Sequence, residues 1–108
     1  MSINKTILLG RTCKDVDYKE FPNGGASASV TLVTNKRAFK MSNGTEVPEK
    51  ATYHYLVFHG GYAKVAQEHV KKGKQIYIEG ENRDRTYTDK NGVERTTREI
   101  IVNKLELL

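Results

Sequence analysis

Tryptophan is absent from this chain, cysteine occurs once, and no apolar run approaches the ~20 residues of a membrane span. Any flat aromatic surface must therefore come from six tyrosines and three phenylalanines. The lone Cys13 rules out an intramolecular disulfide and any multi-cysteine zinc site; it suits a reducing compartment and reads as a buried, inert thiol. Met1-Ser2-Ile3-Asn4-Lys5 contains no apolar signal core, so the chain is expected in the cytoplasm, with no membrane contact. Internal repeats, low-complexity segments and a phosphate-cradling loop are also missing. His54, His59 and His69 have neither the helical spacing of a zinc protease nor cysteine partners. Asp15 and Asp17 stand without the further carboxylates a two-metal nuclease needs. The expectation is a protein with no catalytic residues, no metal and no cofactor.

What is present fits one compact domain over residues 1–108, with 37% hydrophobic and 29% charged residues. Lysine and arginine number 18 against 13 acidic residues, a net charge of +5, which favours a polyanionic partner but says nothing of fold.

Alternation with period two begins near Lys5–Gly10 and is clear at Ala28, Val30 and Leu32, with Ser29, Thr31 and Val33 on the other face. Phe21-Pro22-Asn23-Gly24-Gly25 supplies a turn before that strand. From Asn35 to Lys50 the apolar period is lost, predicting a mobile basic loop that carries Lys36, Arg37, Lys40 and Lys50. It resumes at Ala51–His59, where Leu56 and Phe58 share the face of His54, and Tyr53, Tyr55 and Val57 the opposite one. Gly60-Gly61 ends that strand. Tyr62, Val65, Ala66, His69 and Val70 then predict a helix of about three turns that Gly73 stops, with Lys71, Lys72 and Lys74 complementing its dipole. Ile76 and Ile78 mark another strand, and Arg83–Thr88 leads into Asn91-Gly92, a type I′ hairpin signal answered by Glu94–Val102. Strand, strand, strand, helix, strand, strand is the order of the oligonucleotide-binding fold (OB-fold): an all-β, five-stranded Greek-key barrel with one helix, here with long hairpin extensions. A generic α+β sheet domain is the alternative.

Binding single strands without reading sequence needs aromatic rings among cationic side chains, because every base has a flat apolar face. Phe39 lies amid Lys36, Arg37 and Lys40; Tyr53 and Tyr55 follow Lys50; Tyr87 follows Arg83 and Arg85. The competing reading is that these rings merely cover a sheet, as strand aromatics often do. Lys72 is equally read as a helix-end charge or a phosphate contact.

Several segments in order resemble the bacterial single-stranded DNA-binding protein family: Asn4-Lys5 with Ile7-Leu8-Leu9-Gly10, Pro22-Asn23-Gly24-Gly25-Ala26, Gly73-Lys74-Gln75-Ile76-Tyr77-Ile78-Glu79-Gly80, and Thr88-Asp89 with Asn91-Gly92, Thr97 and Glu99. The resemblance spans nearly the whole chain. It implies sequence-independent coating and protection of single-stranded DNA in replication, recombination or repair, in a bacterial cell or an infected host and associated with the nucleoid. Tyr53 before His54, and Tyr87 before Thr88, correspond to stacking positions where the family often has tryptophan; Phe39 corresponds to one in the basic loop. Tyr55 joins them, with Lys36, Arg37, Lys40, Lys50, Lys72, Arg83 and Arg85 tracking phosphates. A further family aromatic near the end of the third strand is met here by His59, with Phe58 beside it.

The resemblance also implies a homotetramer, a dimer second, joined at first-strand residues such as Lys5 and Ile7 and near His54 and Tyr77. Tyrosine in place of tryptophan implies weaker stacking per base and greater salt sensitivity. Family members usually continue into a flexible linker with an acidic tip that recruits replication proteins, whereas this sequence stops at Leu108, as a truncated or naturally tailless member would, of phage, plasmid or other mobile-element type. A primosome or helicase adaptor with weak DNA binding is the runner-up.

Overall fold

The computed structural model describes all residues from Met1 to Leu108. Strand β1 (Thr6–Thr12) and the short β2 (Asp17–Glu20) precede β3 (Ala26–Lys36). Two-residue strands β4 (Phe39–Lys40) and β5 (Glu46–Val47) come before β6 (Lys50–His59), helix α1 (Gly61–His69), β7 (Gln75–Thr88) and β8 (Glu94–Leu107). The main sheet runs β1-β7-β8-β6-β3-β2 and curls until β1 meets β3 at Arg11↔Val33 and Thr12↔Leu32. A short parallel step, Leu56↔Ile100 and Val57↔Ile101, joins β6 to β8. The expected oligonucleotide-binding architecture is present, with β2 added along β3 as a sixth, short strand.

Alternation sets the core. Ala26, Ala28, Val30 and Leu32 point inward from β3, Leu56 and Phe58 from β6, Ile76 and Ile78 from β7, and Ile100 and Val102 from β8. Ala63, Ala66 and Val70 at the helix cover this core. The expected helix face is thus partly corrected: Tyr62 and Val65 are exposed, and His69 lies outside the core. Alanines at the contact let the helix approach the sheet more closely than tyrosine would allow.

Barrel closure depends on two glycines. A β-carbon at Gly10 would collide with the carbonyl oxygen of Val33, and one at Gly80 with that of Ile101. Gly80 also sits at the register shift of the β7–β8 ladder, where the strand bends. Thr12 pins the end of β1: its buried hydroxyl donates to the Lys71 carbonyl at 2.6 Å and accepts from the Lys74 N–H at 3.1 Å.

The expected type I′ turn is not formed, because no residue other than glycine has positive φ. Asn91 therefore cannot take the left-handed conformation that I′ requires. Instead three hairpins share one construction. Within these hairpins only Gly24, Gly44 and Gly92 turn left-handed, at φ 87°, 90° and 77°, each as the last residue of a three-residue loop. The pairs Phe21 N–H to Gly25 O, Met41 N–H to Thr45 O and Asp89 N–H to Val93 O close them at 2.8, 2.7 and 3.0 Å. A carboxamide or carboxylate oxygen locks each loop: Asn23 accepts from Gly25, Asn43 from Thr45, and Asp89 from both Asn91 and Val93.

The loop expected over Asn35–Lys50 is also corrected. The β3–β6 ladder continues through Thr34↔Thr52 and Asn35↔Ala51 to Lys36↔Lys50, and β4–β5 caps it as a small hairpin. Backbone pairing needs no apolar alternation, so polar side chains hid the ribbon. The molecule consequently carries two arms, this one and the β7–β8 hairpin, and measures 59 × 37 × 35 Å. No helix is long and apolar enough to cross a membrane. Cys13 is half-buried rather than buried.

Candidate nucleic-acid interface

On β6, the side chains that alternate away from the core are Tyr53, Tyr55, Val57 and His59. Tyr53 and Tyr55, 67% and 42% exposed, stand about 6.8 Å apart along the strand. Arg83, Arg85 and Tyr87 likewise share one face of β7, opposite Glu99, Thr97 and Arg95 of β8. A groove of about 410 Å³ joins the two sets, lined by Tyr55, Val57 and His59 from β6 and Arg83 and Arg85 from β7. Lys19 and Phe21, Ser27 to Ser29 of β3, and two carboxylates, Asp17 and Glu99, complete the lining. Tyr53 extends the β6 side of this groove outward, and Tyr87 the β7 side.

At the tip of the first arm, Phe39 is 56% exposed and separates two hollows of about 420 and 430 Å³. Lys40 lines one; Lys36, Arg37 and Lys50 line the other. Lys36, Arg37, Lys40, Lys50, Arg85 and Lys19 have no carboxylate within 4.0 Å, while Arg83 meets Glu81 at 3.3 Å. Such unpaired cations are available to phosphate, whose attraction they supply with strong salt dependence.

The expected site residues thus form two groups, Tyr53, Tyr55, Tyr87, Arg83 and Arg85 at the groove, and Phe39, Lys36, Arg37, Lys40 and Lys50 at the tip. Lys72 joins neither. It lies on the turn after α1, where its backbone N–H donates to Asp15 at 2.8 Å. Its neighbours are structural: the Lys71 ammonium donates to the Gln67 carbonyl and Lys74 to the Leu108 carbonyl. Phe21, Lys19 and His59 are groove residues that sequence reasoning did not select. Phe21 belonged to a turn motif and Lys19 to a strand too short to show alternation, but His59 carried a signal, since it occupies an expected aromatic position. The neighbouring Phe58 is fully buried and cannot meet a base.

Charge is ordered around the arms. Asp89, at the tip of the β7–β8 hairpin, is held below the usual carboxylate range by the Arg95 guanidinium at 2.8 Å and by the Val93 and Asn91 amides. On the opposite side, Tyr77 donates to Glu79 at 2.6 Å and Lys5 meets the same carboxylate at 3.2 Å. These contacts lower Glu79, the Tyr77 hydroxyl first, and raise Tyr77. Ile7 is exposed beside them, whereas His54 is half-buried, bonded to Thr34 Oγ1 at 3.0 Å, and its pKa is lowered by burial. Of the four expected interface residues, Lys5 immediately precedes β1, Ile7 lies on β1, Tyr77 on its neighbour β7, and His54 on β6.

Comparison with known proteins places this geometry. A profile of the single-strand binding protein family matches residues 3–108. A single-stranded DNA-binding protein of Bacteroides thetaiotaomicron is 38% identical over 108 residues, covering all of this chain and 67% of that protein. A solved Plasmodium falciparum SSB in complex with ssDNA superposes with a TM-score of 0.85 at 27% identity, covering 100% of this chain and 95% of the other.

Proposed function

The chain belongs to the single-strand binding protein family, and from that premise we propose how it binds single-stranded DNA. Bases stack on Tyr55 in the groove and on Tyr53 and Tyr87 along its two sides, then on Phe39 at the arm tip. Lys36, Arg37, Lys40, Lys50, Arg83 and Arg85 follow the phosphates, and Lys72 is reached only by strands long enough to pass the turn after α1. Stacking needs only a π-face, so binding is independent of sequence to first order, and duplex DNA, whose bases are already stacked, is excluded. The observation that supports this reading is the groove that brings Tyr55 of β6 together with Arg83 and Arg85 of β7, while Tyr53 and Tyr87 are exposed two residues further along the same strands.

The protein holds DNA without altering it and serves replication, recombination and repair in the bacterial cytoplasm. It works as a homotetramer, with a dimer as the smaller alternative. From Thr6 to Leu9, β1 pairs only with β7, leaving its other edge open beside the exposed Ile7 and Leu9. A second copy covering that edge removes a template for aggregation.

The test is a binding titration of labelled oligo(dT) and of a matched duplex with magnesium present. Selective, reversible capture of the intact single strand is expected. Equal affinity for both DNAs, or shortening of the label-bearing strand, overturns the reading. Sedimentation of the free protein at several concentrations decides the assembly.

A further inference from the structure

Lys19, Ser27 and His59 stand side by side across three strands in the wall of the groove. β2 meets β3 at Lys19↔Ser27 and β3 meets β6 at Ser27↔His59, so the three side chains form one row on one face. With neighbouring strands about 4.8 Å apart, Lys19 and His59 are about 10 Å apart at the backbone, with only the short serine side chain between them. Both are exposed, and neither has a carboxylate within 4.0 Å. The Gly60 N–H, bonded to the Ala26 carbonyl at 3.0 Å, fixes the end of the row. An ammonium, a hydroxyl and an imidazole around one gap can all donate to the same acceptor oxygens.

We propose that Lys19, Ser27 and His59 form a seat for one backbone phosphate, and that His59 takes up a proton as the strand arrives. This rests on the single-strand binding proposed above and gives His59 a phosphate rather than a base. The titratable groups facing the seat are few. β2 brings Asp17 beside Lys19, β6 brings Tyr55, β7 brings Arg83 and Arg85, and β8 brings Glu99, while β3 offers only Ser27, Ala28 and Ser29. Tyr55 is four residues from His59, about 14 Å along the strand, and the Leu56↔Ile100 register sets Glu99 beside Tyr55, with Arg83 across from it. Asp17, two residues from Lys19, is the acid nearest the seat in register, and its charge offsets that of Lys19. An arriving phosphate therefore brings one negative charge in excess, which a proton on His59 neutralises. Imidazole is the one side chain in the groove that ordinarily changes charge between pH 5 and 8. A strand that prefers the protonated form must, by linkage, bind more tightly as pH falls. An uncharged ring at this position would stack alike at every pH.

The test measures oligo(dT) affinity at pH 8 and pH 5.5, each across a salt series, for the unmodified protein, His59→Phe and His59→Gln. Oligo(dT) is the probe because thymine does not itself titrate in this range. The unmodified protein should bind roughly fivefold or more tightly at pH 5.5, and its slope of log K against log salt should steepen by about 0.7, the value for one further phosphate contact on a single strand. Both variants should lose most of the pH effect and all of the steepening; phenylalanine keeps a ring to stack, so its loss separates charge from stacking. Calorimetry in buffers of different ionisation enthalpy should show net proton uptake by the unmodified protein at pH 7, a measurement that needs no variant. Binding that ignores pH, an equal pH effect in both variants, or a pH effect with an unchanged salt slope overturns the inference and leaves the proposed function standing. Failure of the unmodified protein to bind the single strand at either pH overturns the proposed function instead.

Discussion

Lys36 and Lys50 face each other directly across the β3–β6 ladder, and neither has a carboxylate within 4.0 Å. Like charges in this relation repel and destabilise the arm that carries them, by a few tenths of a kcal/mol up to about 1. Two lysines so placed are consistent with a site whose partner is an anion.

Lys50→Gln should therefore leave the free protein as stable or slightly more so in urea melts. Its affinity for oligo(dT) should fall, and the slope of log K against log salt should shrink by about 0.7, the value for one phosphate contact on a single strand. An unchanged slope would remove Lys50 from the phosphate path.

Gly10→Ala and Gly80→Ala should each cost about 1–3 kcal/mol of stability, because the added methyl meets a backbone carbonyl that cannot swing away. Gly61→Ala is the control. Nothing lies within 4 Å of its β-carbon and it begins α1, so the substitution should be neutral or mildly stabilising by urea denaturation.

Adjacent residues at the end of β6 should separate stability from binding. Phe58→Ala removes a fully buried ring and should cost about 3–5 kcal/mol. His59→Ala, at the exposed groove wall, should leave the melting curve nearly unchanged while weakening oligonucleotide affinity.

The β7–β8 hairpin should loosen in acid. Because the folded pKa of Asp89 lies below its unfolded value, the unfolded chain binds the proton more readily. Its contribution is full above about pH 3.9, the unfolded value, and is lost as pH falls through the depressed folded one. The stability gap between the unmodified protein and Asp89→Ala, read by urea melts at pH 7, 5 and 3, should stay constant over the first two and narrow at the third.

Much of this was legible in the chain. Alternation at Ala28, Val30 and Leu32 and at Leu56 and Phe58 placed the core correctly, and the family's ordered segments led to the architecture. Tyr53, Tyr55 and Tyr87 were found as candidate rings because cations surround them in sequence. Other features depend on tertiary relations that no local pattern carries. The ribbon from Asn35 to Lys50 is held by backbone pairing beneath polar side chains, so its hydrophobic signal is nil. The helix buries Ala63 rather than Tyr62, since closeness of approach outweighed hydrophobicity. Asn91-Gly92 turned differently because Asp89 anchors the loop through two amides. Phe21 and Lys19 reach the groove only through the pairing of β2 with β3.

The most direct test of stacking between two arms is anisotropy of labelled oligo(dT) across a salt series, comparing the unmodified protein with the Tyr53→Ala, Tyr87→Ala double variant. Each ring is worth about 1–3 kcal/mol, so affinity should drop at least tenfold, with the salt slope unchanged because no phosphate contact is removed. Equal affinity in the variant would contradict the account and reduce the arms to a basic surface.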